Sequence, residues 1–331
     1  MALPILLAIL LAAASACGAL TSSSPQGNGI ASAPQALSLA ETAGARRGAA
    51  AIRPAGPGAC AGAGSPTAWS GCQRAAEATL GERAMRIVRV LADEIGPRPT
   101  GSEAERRAAA FLADELTSMG YAVEIVPFTY STRGGRASSQ NVVAWDPMED
   151  PTAPLVVIGA HYDTVPVSPG ANDNGSGTAT TLEIARELAW RPEPGVAVRY
   201  VAFGAEEVGL HGSAAYARSL SPGERARLRV MISIDMMAVG EQPAFGGSDP
   251  WLLEAMARAE SQGYRPVNLS PALRRLSDHA SFLDAGLPAI LFHWVEDSHY
   301  HTALDVSDNV QVESLELMGA IAIELVRVAA R

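Results

Sequence analysis

The chain has 331 residues, 48% apolar and 18% charged, with 31 glycines and a formal net charge of −10. That composition supports one large domain or two ordinary ones with a sizeable core, and it excludes a chain disordered throughout or a collagen-like repeat. So acidic a chain lacks the basic footprint that nucleic acid requires, and adhesion to an anionic membrane surface is equally disfavoured.

Residues 2–16, ALPILLAILLAAASA, are apolar but too short for a spanning helix. They read as the core of a signal peptide, residues 1–16, ending in the A-x-A site Ala14-Ser15-Ala16. Cys17 follows at once, so Ala14-Ser15-Ala16-Cys17 resembles a bacterial lipobox, with Ala14 where a large aliphatic residue is usual. Plain export with an unmodified Cys17 is the alternative. The chain has three cysteines, Cys17, Cys60 and Cys72. A lipid on Cys17 leaves an even pair, which an exported protein can join as a disulfide. Residues 17–78 read as a flexible tether. Within them, residues 18–70 hold 15 Ala, 9 Gly, 7 Ser and 5 Pro, with Trp69 as their only aromatic. Such a stretch cannot bury enough surface to offset its chain entropy. It carries Arg46, Arg47 and Arg53 against Glu41, so +2, which leaves −12 on the rest.

The body, residues 79–331, alternates helices and strands. Met85, Val88 and Leu91 recur at helical spacing over 82–95, and Gly96-Pro97 ends them. Ser102 with Glu105 predicts a capping box, and Gly120 ends that second helix. YAVEIVPFTY and SQNVVAW read as strands. LVVIGA (155–160) is a continuous apolar run, as in a strand covered on both faces. Then come a helix in GSGTATTLEIARELA, a strand in VAVRYVAFG, a short helix in HGSAAYARSL and a strand in RVMISIDM. A helix in PWLLEAMARAESQG, a strand in LPAILFHW and an amphipathic helix in VESLELMGAIAIELVRVAA complete the chain. The pattern predicts an α/β fold, a three-layer α/β/α sandwich around a mixed, largely parallel sheet.

Acids and histidines cluster where strands end. LVVIGA runs into His161-Tyr162-Asp163, and the loop after it carries Asp173. VAVRYVAFG runs into Glu206-Glu207, RVMISI into Asp235, and a further loop holds His299, Tyr300 and His301. Sites in open α/β sheets form outside the carboxyl ends of strands. Imidazole and carboxylate without thiolate favour zinc, with cobalt or manganese as substitutes. Five such ligands suit two metals about 3.5–4 Å apart sharing a bridging carboxylate. One member of the Glu206-Glu207 pair can then bind metal while the other serves as a base. Singly, each has a plainer explanation: a satisfied core histidine, a solvated acid, a helix cap. Jointly, in order after buried strands, they do not.

The segments GPRPTGS (96–102), GAHYDT (159–164), GANDNGSGTA (170–179), FGAEEVGLHGS (203–213), SIDMM (233–237), SDHASFLDAGLP (277–288) and YHTALD (300–305) resemble the co-catalytic zinc aminopeptidases. That family includes secreted bacterial leucyl aminopeptidases and aminopeptidase Y, with glutamate carboxypeptidase and glutaminyl cyclase as relatives. The intervals of 12 residues from His161 to Asp173 and 28 from Glu207 to Asp235 also fit. The resemblance implies two Zn2+ ions, one held by His161 and Asp235, the other by Glu207 and His301, with Asp173 bridging. It implies Glu206 as general base, Tyr300 as donor to the oxyanion, Asp163 orienting His161 through its second ring nitrogen, and Asp278 and His279 supporting the pocket wall. His293 and His299 match no role, and His211 is expected at a helix start.

The implied activity is hydrolysis of the N-terminal bond of a peptide or amino-acyl substrate. Ala303 stands where the family often has proline, and residues 240–250 and 295–298 are expected to shape substrate choice. A carboxypeptidase or dipeptidase, for which Arg274 and Arg275 could bind a terminal carboxylate, is the nearest alternative. A glutaminyl cyclase is another, although cyclases tend to use one zinc. A non-catalytic binding module on the same scaffold is the alternative of a different class, disfavoured because every ligand and the base are present.

Overall fold

The structure, a computed structural model, describes residues 78–269 and 276–331. The expected signal peptide, the three cysteines, Arg274 and Arg275 lie outside the described residues. The chain divides into units Met1–Ala45 and Arg46–Arg331, and all described residues belong to the second.

Helix α1 (Leu80–Arg89) starts on a full capping box, Thr79 with Glu82, and runs into a wider turn (Val90–Ile95) that ends at Gly96. Helix α2 (Glu103–Ser118) is capped by Ser102, whose hydroxyl accepts the Glu105 N–H. The expected box is only half formed there. The Glu105 carboxyl instead accepts the Gly101 N–H at 2.6 Å and the Ser139 hydroxyl at 2.5 Å.

Strands β1 (Ala122–Thr132) and β2 (Gly135–Trp145) form one antiparallel hairpin, longer than the sequence suggests. Then come β3 (Leu155–His161), α3 (Gly177–Trp190), β4 (Ala197–Phe203), α4 (His211–Ser219), α5 (Pro222–Arg227) and β5 (Leu228–Ile234). The chain continues through β6 (Gln242–Gly247), α6 (Trp251–Ser261), β7 (Val267–Asn268), α7 (His279–Asp284), β8 (Ala289–Val295) and α8 (Val312–Ala329). The sequence gives no strand signal for β6, because Pro243, Gly246 and Gly247 fill half of it.

The sheet order is β1-β2-β4-β3-β5-β8-β6-β7. Its centre, β4-β3-β5-β8, is parallel. β2 joins β4 antiparallel on one side, and β6 joins β8 antiparallel on the other. The sheet is therefore mixed and largely parallel, with helices on both faces. Along β3, Val156 and Ile158 join a core built with α1, α2, α3, α6 and α8, while Leu155 and Val157 join a smaller core with Tyr216 of α4 and Phe282 of α7. Among the described residues, no helix is long and apolar enough to cross a membrane.

One close approach sets the later geometry. A Cβ on Gly177, at the start of α3, would lie 2.1 Å from the Ile234 carbonyl at the end of β5 and 2.5 Å from Asn174 Oδ1. Only glycine lets the chain before α3 reach the exit of β5. Gly177→Ala should therefore cost about 1–3 kcal/mol, read from the urea unfolding midpoint. An unchanged midpoint would contradict this packing.

Candidate metal centre

Parallel neighbours β3, β4 and β5 all end on the same side of the sheet, so His161, Glu206-Glu207 and Asp235 emerge together. The turn 171–176 before α3 adds Asp173, and the loop after β8 adds His301. His161 Nε2 lies 3.3 Å from Asp173 Oδ1 and 3.3 Å from Asp235 Oδ1. His301 Nε2 lies 3.2 Å from Asp173 Oδ2 and 3.0 Å from Glu207 Oε2. Asp173 thus presents one oxygen to each imidazole. Two groups of candidate ligands result, His161-Asp173-Asp235 and Asp173-Glu207-His301.

The donor set fits zinc. Tetrahedral bonds of about 2.0 Å place neighbouring donors about 3.3 Å apart, close to the separations found here. The donors are imidazole nitrogens and carboxylate oxygens only, and the buried Asp173 Oδ2 finds no well-aligned hydrogen-bond donor among the described residues. His161 Nδ1 lies 3.1 Å from the Asp163 main-chain carbonyl. Donating there leaves Nε2 with its lone pair toward Asp173 and Asp235, as a metal ligand requires.

This contact differs from the expected one. The carboxylate of Asp163 was to orient His161, but its Oδ1 is 3.8 Å from Nδ1. The main chain takes that bond instead. The carboxylate turns the other way and accepts the N–H groups of Glu206 and Glu207, at 3.1 and 3.4 Å, and the Thr100 hydroxyl, at 2.7 Å.

Electrostatics follow from crowding acids in a site sheltered from water. Burial pushes the Glu206 carboxyl well above its usual range; the His161 charge opposes this, and Asp235, Asp278 and Asp163 add to it. Burial would also raise Asp173, but its contacts with His161 and His301 hold it well below the usual range. Burial disfavours charge on His301, yet Asp173 and Glu207 outweigh it and lift the ring to about 10. Asp278 is fully buried and raised to about 7 by burial, and neither of its oxygens finds a well-aligned donor among the described residues. His279 is lowered to about 4 by burial. The Tyr300 ring stacks on His301 with centroids 3.7 Å apart. Although the residue is 47% exposed, local desolvation of the phenol and then the charges of Asp173, Glu207, Asp235 and Glu206 keep it protonated.

His293 Nδ1 donates to the Asp235 carbonyl at 2.8 Å. His299 and His211 are not among the ligand groups; His211 opens α4 and stacks on Tyr130 at 4.1 Å.

Several supporting residues escaped the sequence reading. Asp305 accepts the N–H groups of Asn172 and Asp173 at 2.6 and 3.0 Å, fixing the main chain at Asp173. Asn174 links that turn to β5, donating to the Ile234 carbonyl at 2.9 Å. Asn172 donates to Asp297 at 2.8 Å, tying the Asp173 turn to the His301 loop. Arg98 is fully buried and donates to the carbonyls of Leu91, Gly96, Tyr162, Pro169 and Gly170. Arg98 and Asp305 lie inside the quoted motifs GPRPTGS and YHTALD, which was the available signal. Left-handed backbone at non-glycine residues also marks the site: Ala205 precedes Glu206, Met236 follows Asp235, and His301 is itself at φ +57°. Such strain persists where surrounding contacts over-determine it.

The fold and this donor set define a candidate metal centre at the strand ends of an α/β sheet, and comparison with known proteins supplies the family. A profile of peptidase family M28 matches residues 141–326. Aminopeptidase YwaD of Bacillus subtilis is 35% identical over 197 residues, covering 55% of this chain and 43% of its own. LpqL of Mycobacterium tuberculosis, described as a probable lipoprotein aminopeptidase, is 42% identical over 232 residues, covering 59% and 46%. The chain thus spans less than half the length of these curated relatives. Among solved structures, the zinc aminopeptidase BSAP from Bacillus subtilis superposes with a TM-score of 0.66 at 21% identity, over 76% of this chain and 94% of its own. A glutaminyl cyclase from Porphyromonas gingivalis reaches 0.64 at 23% identity, over 75% and 99%. These two likenesses establish the fold. The chain belongs to peptidase family M28.

An ion that binds only the folded state stabilises it. Chelation of the zinc-loaded protein should lower Tm by at least about 5 °C, and added zinc should restore it. A melting curve unmoved by chelator would contradict the assignment of these residues to a metal.

Proposed function

We propose that the chain is an exported aminopeptidase that hydrolyses the N-terminal bond of a peptide or amino-acyl substrate, using two zinc ions and Glu206 as general base. The observation that carries this reading is Asp173, whose two oxygens face two imidazoles that each meet a second carboxylate. His161 and Asp235 would hold one ion, Glu207 and His301 the other, with Asp173 shared. Cobalt or manganese would substitute. Bound zinc supplies Lewis acidity, polarising a carbonyl oxygen and making a nearby water more acidic.

The remaining chemistry falls to side chains. Glu206 carries no zinc in this assignment, and its raised proton affinity suits a base that works near neutral pH. It accepts a proton from the attacking water and delivers it to the leaving amine. Tyr300, kept protonated beside the carboxylates, donates to the oxygen that gains charge. Asp278 and His279 support the pocket wall. The presence of both donor groups favours a peptidase over a single-zinc cyclase.

Residues 1–16 as an export signal and Cys17 as a lipid acceptor complete the proposal. The likeness to LpqL supports an envelope location for the body, held by the tether.

An assay of the purified protein on a panel of amino-acyl p-nitroanilides tests the function. Cleavage should require metal and a free α-amine, so an N-acetylated substrate should resist. Glu206→Gln should lower kcat by about 10²–10⁴-fold at unchanged zinc content. Near-normal turnover in that variant would remove Glu206 from its role.

A further inference from the structure

Thr100 has no part in the assignments above. It lies in the bend between α1 and α2, and that bend is fixed on every side. Arg98 N–H donates to the Thr164 hydroxyl at 2.9 Å, and Thr164 N–H returns a bond to the Arg98 carbonyl at 3.2 Å. The Arg98 guanidinium grips five carbonyls, three of them in the segment 162–170 that follows β3. Gly101 N–H is held by Glu105, and Ser102 N–H by the Pro99 carbonyl at 3.0 Å. The Thr100 hydroxyl is thus presented from a rigid support.

Its target is the Asp163 carboxylate, 2.7 Å away and fully buried. That carboxylate is the side-chain acceptor for the first two N–H groups of the Glu206-Glu207 turn. The turn closes on itself only further along, where Gly209 and Leu210 N–H donate to the Glu206 carbonyl and His211 N–H donates to that of Ala205. It is flanked by left-handed residues, Ala205 at φ +57° and Leu210 at φ +59°. Neither is glycine, so the conformation costs energy that other contacts must supply. Asp163 supplies it at the end where Glu206 sits.

Oδ2 of Asp163 holds the Glu207 N–H at 3.4 Å and the Thr100 hydroxyl at the much shorter 2.7 Å. The hydroxyl therefore sets where that oxygen lies. His161 makes no hydrogen bond to that oxygen: its Nδ1 bonds the main-chain carbonyl at 3.1 Å and lies 3.8 Å from Oδ1, the other carboxylate oxygen.

We propose that Thr100 is a positioning residue for the Glu206-Glu207 turn, acting through the carboxylate of Asp163. Its kinetic consequence rests on the aminopeptidase reading; its structural content does not. Without the hydroxyl, Oδ2 of Asp163 keeps only the long bond from the Glu207 N–H, and the turn that carries Glu206 relaxes from its strained setting. A misplacement of about 1 Å at such a group costs up to about 10²-fold in rate.

Two readouts on the full chain test this. The first is kinetic. Thr100→Val should lower kcat by about 10–100-fold, with KM within about twofold and zinc content unchanged, and Thr100→Ser should restore kcat. The second is amide hydrogen exchange of the zinc-free protein. Thr100→Val should speed exchange at Glu206 and Glu207 by about tenfold or more, the effect of about 1.4 kcal/mol in local opening, while Val230 and Ile232 in β5 stay as slow as in the wild type. Wild-type exchange at Glu206 and Glu207 in Thr100→Val would overturn the proposal. So would a Thr100→Ser protein as impaired as Thr100→Val, or acceleration equal at Ile232. If the wild type cleaves no substrate, the aminopeptidase reading fails, and the exchange comparison still decides the role of Thr100.

Discussion

Asp163, Asp173, Asp235, Asp278 and Asp305 are buried at one end of the sheet, with the half-buried Glu206 and Glu207 among them. That many like charges in a sheltered space cannot all ionise without cations close by. Among the described residues, one permanent cation is fully buried there, the guanidinium of Arg98. Its donors go to main-chain carbonyls, so it offsets charge at a distance and coordinates none of the carboxylates. The two imidazoles can take protons, but their nitrogens face carboxylates at the spacing of a metal's ligand shell. The fold thus builds in a negative charge that bound cations would offset, and the candidate metal centre sits at its middle.

The scaffold must hold that repulsive cluster in place. The β3, β4 and β5 exits are fixed by the parallel sheet. The three loop segments around them are fixed by polar side chains: Asp305 on the main chain of the Asp173 turn, Asn172 bonded to Asp297 between that turn and the His301 loop, and Asp163 on the main chain of the Glu206-Glu207 turn. Left-handed residues occur beside Glu206, beside Asp235 and at His301. Strain is concentrated beside the candidate ligands and Glu206. Gly177 does the same work by absence of a side chain, letting α3 begin against the end of β5.

Much of this was legible in the sequence because it rests on local pattern. Buried parallel strands are unbroken apolar runs, as in LVVIGA, and they announce their exits. The order of His161, Asp173, Glu206-Glu207, Asp235 and His301 after those runs was readable, and the structure brings the five ligand candidates together. What was not readable is which atom of a residue does the bonding. Asp163 was expected to act on His161, but a residue two positions away can reach a ring with its carbonyl as easily as with its carboxylate, and spacing does not distinguish these. Glu105 looked like half of a capping box, yet it pairs with Gly101 and Ser139, the latter 34 positions along the chain. Strand β6 stayed hidden because its pairing with β8 depends on tertiary contact rather than on its own residues. Arg98 and Asp305 act through their side chains on main-chain atoms of other residues, and a main-chain partner leaves no mark in residue type.

The proposed function depends on Asp173 being shared between two ions. A crystal structure of the zinc-loaded protein, with anomalous scattering measured at the zinc edge, tests it directly. Two peaks about 3.5–4 Å apart are expected, one against His161 and Asp235, the other against Glu207 and His301, with Asp173 between them. A single peak at saturating zinc, with one of the two imidazoles turned away from Asp173, would contradict it.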